Sequence, residues 1–559
     1  MKKNNLLKVA ELNIKLTNTS PNNTLLNNVS FDISKNQIVG LVGESGSGKS
    51  LTALSILRLL NSKIYNTSGK IIFNNKNILE LNLDEVQRIR GKEIAMIFQE
   101  PMSALNPTMT IGNQLIEICN RHLDLNHNEI IKRIHDLIIK VKLDNIKNLL
   151  KKFPHEISGG QKQRVMITMA LLCNPSLLIA DEPTTALDVP VQKEILQLIK
   201  DLQKSENLSV LFISHDLSIV RKIADKVVIL KSGEIIEQGS NSTLFNNPKN
   251  PYTKALLSIK PSKTIRLKEL PTIEKILNKN FKNEIIAPKT RFKKLNKIYS
   301  KPPLLKISNI NKNYISKLGM FSKQDSFKAL KKINLELYQG ETLGLVGESG
   351  CGKTTLAKTI LQIEKAHSGT IIYKGEDITQ LSKRDLKQYR KDVQLIFQDP
   401  YSSLNPKLNV CETIIEPIKY HKILTNKRAL IKRATQLLID VGLSADFLYR
   451  YPHELSGGQR QRIGIARAIS LNPKIIICDE AVSALDVSVQ AQVLNLLNKL
   501  KDHYNFTYIF ISHDLSVVKH MCDNIIVMNR GKIEESGDPD KIFASPKKKY
   551  TKKLIDSIL

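Results

Sequence analysis

Short apolar runs that end in polar residues recur along the chain and determine its predicted secondary structure. Residues 37–42 form such a run and enter a glycine-rich turn, and residues 51–60 behind the turn have helical periodicity. The runs at 177–180 and 210–213 are also continuously apolar, and each stops at a polar residue. Strands buried in a parallel sheet have this pattern, and ligands bind at their carboxyl ends. The pattern predicts an α/β core with its site at those strand ends.

The whole pattern occurs twice. The segment Gly-Glu-Ser-Gly-Ser-Gly-Lys-Ser at 43–50 returns at 347–354 with Cys and Thr in place of two serines. Ser-Gly-Gly-Gln, Asp-Glu and Ser-His-Asp also return, all at one spacing, as Ser158 and Ser456 show (456 − 158 = 298). A duplication this regular predicts two copies of one α/β unit in a single polypeptide.

A chain of 559 residues is long enough for two units that each bury a core. We predict these units at residues 1–259 and 304–559. Between them, residues 260–303 hold 13 Lys or Arg against three Glu, and prolines interrupt the segment. This composition is typical of a solvated, mostly irregular linker, with one short helix predicted around 273–280.

Composition excludes several classes of protein. No run of about 18 apolar residues is present and the start lacks an apolar signal region, so neither a membrane span nor a signal peptide is predicted. Six scattered cysteines without a Cys-x-x-Cys spacing favour a reducing compartment over a metal or disulfide framework. The net charge of +31 fits nucleic acid, anionic lipid or simply lysine-rich solvated faces. Because Trp is absent and aromatics make only 5%, we expect no nucleic acid and favour solvated faces near a membrane.

Each glycine-rich turn lies between a predicted strand and a predicted helix. The motif Gly-x-x-x-x-Gly-Lys-Ser/Thr directs backbone N–H groups at nucleotide phosphates, where the helix dipole favours negative charge. Lys49 and Lys353 would reach the β- and γ-phosphates, and the hydroxyls of Ser50 and Thr354 would ligate Mg²⁺. The other residues predicted to bind the phosphates are Gly43, Ser45, Gly46, Gly48, Gly347, Ser349, Gly350 and Gly352.

An Asp, a Glu and a His complete the predicted chemistry of each copy. The Asp ends an apolar strand, as a ligand of Mg²⁺ must. The Glu follows at once and can orient and polarise an attacking water, while the His closes the next strand and can hydrogen-bond the γ-phosphate. A lone His at a strand end is more often structural, but its recurrence at the same spacing favours function. These catalytic and metal candidates are Asp181, Glu182 and His215, and Asp479, Glu480 and His513.

Each copy also has a second candidate anion site, Ser-Gly-Gly-Gln before a predicted helix. Paired glycines permit close backbone approach to an anion, and the Ser hydroxyl adds a donor. Because each copy already has one phosphate cradle, the economical ligand is the γ-phosphate of ATP bound on the other copy. The predicted contact residues are Ser158, Gly159, Gly160, Gln161, Ser456, Gly457, Gly458 and Gln459.

Together these motifs resemble the ATP-binding-cassette (ABC) family, whose signature is Leu-Ser-Gly-Gly-Gln, over almost all of both copies. The resemblance implies two tandem α/β nucleotide-binding domains, each a P-loop NTPase core with antiparallel β and α-helical subdomains. It implies hydrolysis of ATP with Mg²⁺ by two cassettes that sandwich two ATP molecules head to tail. Ile157 replaces the signature Leu, and Ala-Val at 481–482 replaces the usual Pro-Thr, and we expect both changes to leave the chemistry intact.

The resemblance adds residues that spacing alone does not identify. Gln99 and Gln398 match the Q-loop of the family, which touches Mg²⁺ and reports to a membrane partner. Asp188 and Asp486 match the D-loop, which couples the two sites.

The family also stacks adenine on an aromatic residue upstream of the glycine-rich turn. Tyr314 occupies this position in the second copy, whereas Leu16 aligns with it in the first. We therefore expect the first site to bind adenine less well. Because both copies keep the Glu and the His, two hydrolytic sites are predicted.

The segments at 101–107 and 400–406 and the tails at 247–257 and 545–555 resemble those of dipeptide/oligopeptide import ATPases, including those for glutathione and microcin C. The resemblance implies an ATP-binding importer subunit, peripheral at the cytoplasmic face of a bacterial inner membrane. Its implied partners are two transmembrane permease subunits, whose loops the helical insertions near 100–156 and 399–453 would hold, and an extracytoplasmic solute-binding protein.

The alternative is a soluble tandem-cassette ATPase that acts on the ribosome in translation. That group joins its cassettes through a long amphipathic helical hairpin. The short linker of this chain, interrupted by prolines, argues against it.

Overall fold

The computed structural model describes residues 5–17, 23–99, 104–185, 187–259, 265–316, 325–399, 403–483 and 485–556. The beginnings of the importer-like segments at 101–107 and 400–406 lie outside these residues. The chain forms two compact units, residues 1–258 and 259–558.

The first unit contains an antiparallel sheet of four strands in the order β2-β1-β4-β5 and a six-stranded sheet in the order β10-β9-β3-β8-β7-β6. In the six-stranded sheet, β3 pairs in parallel with β8 and β9, and β7 pairs in parallel with β6 and β8. The strands are β1 Asn5–Leu16, β2 Thr24–Ser34, β3 Ile38–Val42, β4 Tyr65–Phe73, β5 Lys76–Asn77, β6 Ile94–Ile97, β7 Leu177–Asp181, β8 Ser209–Ser214, β9 Lys226–Lys231 and β10 Glu234–Ser240.

The helices of this unit cover the parallel sheet and form a separate group between β6 and β7. They are α1 Lys49–Ile56, α2 Leu83–Ile89, α3 Ile111–His122, α4 His127–Lys140, α5 Gly159–Leu171, α6 Val189–Ser205, α7 Leu217–Ile223, α8 Asn241–Asn246 and α9 Pro251–Ser258.

The predicted strands are confirmed. All five residues of β3 are buried, as are all five of β7 and all six of β8, which explains their continuous apolar runs. One hydrophobic core joins the two sheets, because Leu7 of β1, Leu41 of β3 and Ile179 of β7 belong to the same cluster of buried side chains. The parallel sheet is therefore a rigid support for the loops at its carboxyl edge.

The second unit repeats this architecture, with sheets in the orders β12-β11-β14-β15 and β16-β17-β18-β13-β19-β20. Its strands are β11 Leu305–Ser316, β12 Asp325–Leu337, β13 Thr342–Val346, β14 Ser368–Tyr373, β15 Glu376–Asp377, β16 Val393–Ile396, β17 Ile475–Asp479, β18 Thr507–Ile511, β19 Asn524–Asn529 and β20 Lys532–Gly537. Its helices, after the two in the linker (α10 Ile273–Leu277 and α11 Pro288–Tyr299), are α12 Lys353–Ile360, α13 Lys383–Asp392, α14 Val410–Tyr420, α15 Lys427–Asp440, α16 Gly457–Ile469, α17 Val487–Tyr504, α18 Leu515–Met521, α19 Pro539–Ala544 and α20 Lys549–Asp556.

The linker differs from the solvated, irregular segment that its composition predicts. The short helix expected around 273–280 is present as α10, but α11 is a second helix of 12 residues that periodicity did not reveal. The described part of the linker also packs on the second unit, and Leu270 and Leu295 are buried. Lysine-rich composition hid this packing, because a few buried side chains suffice to anchor a segment whose other residues are solvated.

No helix within the described ranges is long and apolar enough to cross a membrane.

Candidate nucleotide-binding sites

The glycine-rich turn of the first unit runs from the end of β3 into α1. Gly48 has φ 104°, a left-handed conformation that favours glycine, and a Cβ there would lie 2.3 Å from Leu26 Cδ2. Lys49 Nζ donates to the carbonyls of Gly43 at 2.9 Å and Glu44 at 2.8 Å. The ammonium is therefore held over the turn, beside the backbone N–H groups that begin the helix.

The second turn has the same geometry. Gly352 has φ 109°, and Lys353 Nζ donates to Gly347 O at 2.8 Å and Glu348 O at 3.0 Å. The two lysines thus sit in equivalent cradles of backbone carbonyls. The residues predicted to bind phosphate are brought together in each unit.

The carboxylate that ends β7 or β17 lies beside the first residues of the helix that follows each turn. Burial raises the pKa of Asp181 to about 6, against a hydrogen bond from Ser50, and its buried Oδ1 has no hydrogen-bond partner. Burial also raises the pKa of Asp479, whose Oδ1 accepts from Thr354 Oγ1 at 3.4 Å. A buried carboxylate beside a hydroxyl suits a hard cation such as Mg²⁺, and Asp181 also has an unused acceptor, so these residues fit the predicted metal.

The adjacent glutamate of the first unit is held by side chains from three other positions. Glu182 Oε1 lies 3.0 Å from His215 Nδ1, and Oε2 accepts from Gln99 Nε2 and Thr185 Oγ1, both at 3.0 Å. Burial alone would raise the pKa of Glu182, but the hydrogen bond and charge of His215 lower it to about 2. Glu182 is therefore ionised and fixed in direction.

The second unit brings together the equivalent residues. Glu480 Oε2 accepts from Gln398 Nε2 at 2.8 Å and lies 3.4 Å from His513 Nδ1. The pKa of Glu480 is also lowered, because the hydrogen bond from His513 and the charges of His513 and Lys353 outweigh burial. The predicted Glu, His and Q-loop Gln thus form one cluster in each unit.

Each Glu has an unusual backbone conformation directly after the strand that ends with the Asp. Glu182 and Glu480 both have φ 48°, in the left-handed region that costs a residue with a side chain about 1 kcal/mol. The Glu182 N–H still donates to Ile213 O of β8 at 3.0 Å, and Glu480 N–H donates to Ile511 O at the same distance. Such strain at an identical position in both copies is typical of functional sites.

Sheet topology explains why residues so far apart in sequence meet. β3, β8, β7 and β6 are neighbours and run in parallel, so their carboxyl ends share one edge of the sheet. The turn follows β3, His215 follows β8, Glu182 follows β7 and Gln99 follows β6. The edge therefore gathers one residue of each predicted type.

The signature residues begin helices α5 and α16. Ser158 is the N-cap of α5 and Ser456 is the N-cap of α16, each in a capping box with the Gln three residues later. A Cβ on Gly160 would lie 2.7 Å from Val191 Cγ1, so this second glycine is needed to pack α5 against α6. A Cβ on Gly159 would meet no described atom closer than 3.9 Å. The first glycine is the one open to an anion.

In the second signature, too, the second glycine packs against the next helix and the first glycine is the open one. A Cβ on Gly458 would lie 2.4 Å from Val489 Cγ1, whereas one on Gly457 would meet no described atom within 4 Å. The D-loop residues lie at the N-caps of the helices against which the signatures pack, Asp188 before α6 and Asp486 before α17.

Strand register supports the alignment of Leu16 with Tyr314. Leu7 faces Phe73 at the end of β4, and Leu305 faces Tyr373 at the end of β14, so β1 and β11 are equivalent with the same offset that relates the signatures. Tyr314 is 39% exposed and hydrogen-bonds Glu364 and Thr355, and Thr355 lies in the helix that follows the second glycine-rich turn. An aromatic face thus lies beside the second site.

Two kinds of contact were missed by sequence reasoning. Thr185 bonds the carboxylate of Glu182, whereas its counterpart Ser483 donates to the backbone carbonyl of Glu480 at 2.9 Å. The Pro-Thr-Thr versus Ala-Val-Ser difference after the Glu was the available signal.

The tail helices supply the second kind of contact. Tyr252 OH of α9 donates to Glu44 Oε2 at 3.0 Å, and Tyr550 OH of α20 accepts from Glu348 N at 3.0 Å. Each tail therefore touches the second residue of a glycine-rich turn. The repeated Pro/Lys-Tyr-Thr-Lys pattern of the tails marked both tyrosines, but nothing in it pointed to the turns.

Comparison with known proteins identifies the family. Residues 26–185 and 330–483 match the model of the ABC transporter family. The chain belongs to this family. Residues 236–284 also match the model described as "Oligopeptide/dipeptide transporter, C-terminal region". The predicted family and the predicted fold of two tandem cassettes are confirmed, and the chain is an ATP-binding ATPase of the transport class.

Curated relatives resemble both cassettes together. The glutathione import ATP-binding protein GsiA of Escherichia coli (strain K12) is 40% identical over 567 residues, which cover 99% of this chain and 89% of that relative. The protein of the same name from Salmonella paratyphi A is 41% identical over 561 residues, with the same coverage. A solved dimeric ATP-binding cassette bound to ADP and phosphate matches 42% of this chain and 98% of its own, with 30% identity and a TM-score of 0.38.

The family models and the curated relatives favour transport over the alternative of a ribosomal ATPase, which they do not support. An import ATP-binding subunit works with membrane permeases, so permease subunits are the class of partner that the family implies.

Proposed function

We propose that this chain is the ATP-hydrolysing subunit of an importer for peptides of the dipeptide, oligopeptide or glutathione kind. The observation that carries the proposal is the oligopeptide/dipeptide transporter region at 236–284, in a chain similar to glutathione import subunits over 99% of its length. The chain would lie peripherally at the cytoplasmic face of the inner membrane. Two permease subunits and an extracytoplasmic solute-binding protein would complete the transporter.

The chain's own residues have distinct tasks in hydrolysis. Lys49 and Lys353 bind the β- and γ-phosphates, and Glu182 and Glu480 orient the attacking water. His215 and its counterpart hold the direction of each glutamate and bond the γ-phosphate. When bound, Mg²⁺ would neutralise charge on the phosphates. The residues that would hold it are Ser50, Gln99 and Asp181 in the first unit and Thr354, Gln398 and Asp479 in the second.

The signatures would complete the sites in trans. We propose that Ser158 to Gln161 contact the nucleotide held by Lys353, and that Ser456 to Gln459 contact the nucleotide held by Lys49. The open glycine at the start of each signature helix supports this role, since backbone N–H groups at a helix N-terminus bind anions.

A cavity beside each Q-loop is a candidate seat for a permease loop. In the first unit a cavity of about 220 Å³ is lined by Met96, Phe98 and Met169. In the second a cavity of about 410 Å³ is lined by Phe397 and by Arg467, which pairs with Glu416. The cavity of the first unit is mostly apolar and rich in methionine, whereas the cavity of the second unit carries charged side chains. The two cavities would therefore prefer different permease subunits.

Uptake measurements test the proposal. A strain that lacks the chain should lose accumulation of labelled glutathione or short peptides, and the intact chain should restore it. The Lys49→Ala/Lys353→Ala variant should fail to restore uptake while it still co-purifies with two multispanning membrane subunits. Undiminished uptake of both solute classes without the chain, or co-purification with ribosomal proteins instead, would contradict the proposal.

A further inference from the structure

Two buried arginines anchor the linker on the cassette that follows it in the second unit. Arg266 Nη1 donates to Cys522 O at 2.9 Å, and Arg291 Nη2 donates to Asp523 O at 2.9 Å. The side chains of Arg266 and Arg291 are only 10% and 13% exposed. Both carbonyls lie directly after α18, the helix that begins two residues beyond His513.

The first unit satisfies the equivalent carbonyls without any linker. Asn241, the first residue of α8, donates from its backbone N to Asp225 O at 2.9 Å, and its Nδ2 donates to Ala224 O at 2.5 Å and to Arg221 O at 2.8 Å. Ala224 and Asp225 lie directly after α7, which follows His215. One asparagine thus holds the end of this helix.

The second cassette cannot make the two equivalent bonds after α18 without the linker. Pro539 is the first residue of α19 and stands at the position of Asn241, at the same offset as the signatures (539 − 241 = 298). Proline has neither a backbone N–H nor a side-chain donor. Without another donor, the carbonyls of Cys522 and Asp523 would lose the two partners that their counterparts have.

The acidic residues on either side of Pro539 form ion pairs with the two arginines. Arg291 Nη1 donates to Asp538 Oδ2 at 2.7 Å and to Asp540 Oδ2 at 3.1 Å, and Arg266 Nε lies 3.3 Å from Asp540 Oδ2. The first unit has Ser240 and Ser242 at these positions. The acidic pair that binds the arginines, Asp538 and Asp540, is therefore present only in the second of the two cassettes.

Two further contacts fix the linker at its middle and its end. Leu270 N donates to Asn495 Oδ1 at 2.8 Å, and Asn495 Nδ2 donates to Leu270 O at 2.9 Å. Tyr299 OH, at the end of α11, donates to Glu341 Oε1 at 2.9 Å, immediately before β13. The linker is thus attached along the described residues 266–299.

We propose that the linker is a working part of the second cassette, in which Arg266 and Arg291 replace the hydrogen bonds that Asn241 makes to Ala224 O and Asp225 O in the first. They are positioning residues: by bonding the carbonyls after α18 they hold the helix that His513 precedes. Favourable interaction of cations with a helix C-terminus adds to the two bonds. The second cassette depends on the linker for a contact that the first makes alone.

Hydrogen exchange in the full-length chain tests this inference. In the Arg266→Ala/Arg291→Ala variant, exchange across α18 should accelerate at least about tenfold, since bonds to charged donors are lost. The equivalent helix α7 should exchange as before and serves as the internal reference. Lys268→Ala is the matched control, because Lys268 pairs only with Glu284 of the same linker in the described contacts and is 73% exposed.

A rescue variant distinguishes this role from a general loss of stability. Adding Pro539→Asn to the double variant should restore slow exchange across α18, because asparagine can donate to both carbonyls. In a Glu182→Gln background, residual ATP hydrolysis should fall in the double variant and recover with Pro539→Asn. The inference would be overturned if hydrogen exchange across α18 were unchanged in the double variant. It would also be overturned if Pro539→Asn did not restore slow exchange.

Discussion

Adjacent carboxylates in each site have pKa values displaced in opposite directions. Burial raises the pKa of Asp181 to about 6, whereas Glu182, bonded by His215, has a pKa of about 2. An ionised glutamate with so low a pKa is a weak base but a reliable acceptor. In the proposed mechanism, Glu182 would therefore contribute chiefly by fixing the direction of the water.

Replacement of either glutamate tests this role. Glu182→Gln or Glu480→Gln should each lower steady-state ATP hydrolysis to no more than about half, and the double variant should lose about 100-fold or more. Both clusters are intact in the structure, so neither site is expected to be degenerate. Full activity in either single variant would show that its site does not hydrolyse ATP.

The aromatic difference between the sites predicts unequal nucleotide affinity. Tyr314→Leu should weaken ATP binding at the second site about tenfold, because stacking of a base on an aromatic ring contributes about 1–3 kcal/mol. Leu16→Tyr should strengthen the first site by a similar factor. Equilibrium titration of the full chain with ATP would follow both changes. Identical titration curves for Tyr314→Leu and the unaltered chain would exclude adenine stacking at this position.

At the scale of elements, the turn before the central strand differs between the copies. Glu341 precedes β13, is fully buried, and accepts from Tyr338 N at 2.9 Å. Burial raises the pKa of Glu341 to about 7. At the equivalent position before β3, Gln37 accepts from Ser34 N at 3.0 Å without any charge.

This carboxyl group predicts a dependence of stability on pH. Its pKa is raised on folding from 4.5 to about 7, so the folded state holds a proton that the unfolded state releases. The free energy of unfolding should therefore fall as pH rises from about 4.5 to 7. Glu341→Gln should remove this contribution and stabilise the second unit at pH 8 by up to about 3 kcal/mol.

Calorimetry at pH 5 and pH 8 would measure the effect as a shift of one unfolding transition. Gln37→Glu in the first unit is the matched control and should introduce the same pH dependence in the other transition. If Glu341→Gln shifts its transition equally at both pH values, the carboxyl group does not titrate in this range.

At the scale of the whole molecule, we proposed that the signature of each cassette contacts the nucleotide bound by the other cassette. This pairing predicts which signature each hydrolytic site needs. In a Glu480→Gln background, the remaining hydrolysis depends on Glu182. Ser456→Arg should then abolish it, because that signature would serve the nucleotide on Lys49, while Ser158→Arg should reduce it far less. The opposite order, measured as ATP turnover, would show that each cassette uses its own signature.

The sequence could predict candidate sites because binding of phosphate, metal and water restricts residue types. Phosphate binding at a helix N-terminus requires glycines before Lys49, and metal and water binding require carboxylates at 181–182, at the end of an apolar run. Because both motifs recur in the second copy, a chance match to a nucleotide-binding motif became an improbable explanation. The family comparison confirmed the class of protein that these motifs indicate.

Contacts between residues distant in sequence were decided only by the tertiary structure. Arg266 and Cys522 are 256 positions apart, and nothing in a lysine-rich linker distinguishes the two arginines that are buried from the residues that are solvated. The opposite pKa displacements of Asp181 and Glu182 likewise follow from which groups the sheet edge brings near each carboxylate. Motifs record the chemistry that a ligand demands of one segment, whereas packing and electrostatics depend on which segments meet, and only folding settles that.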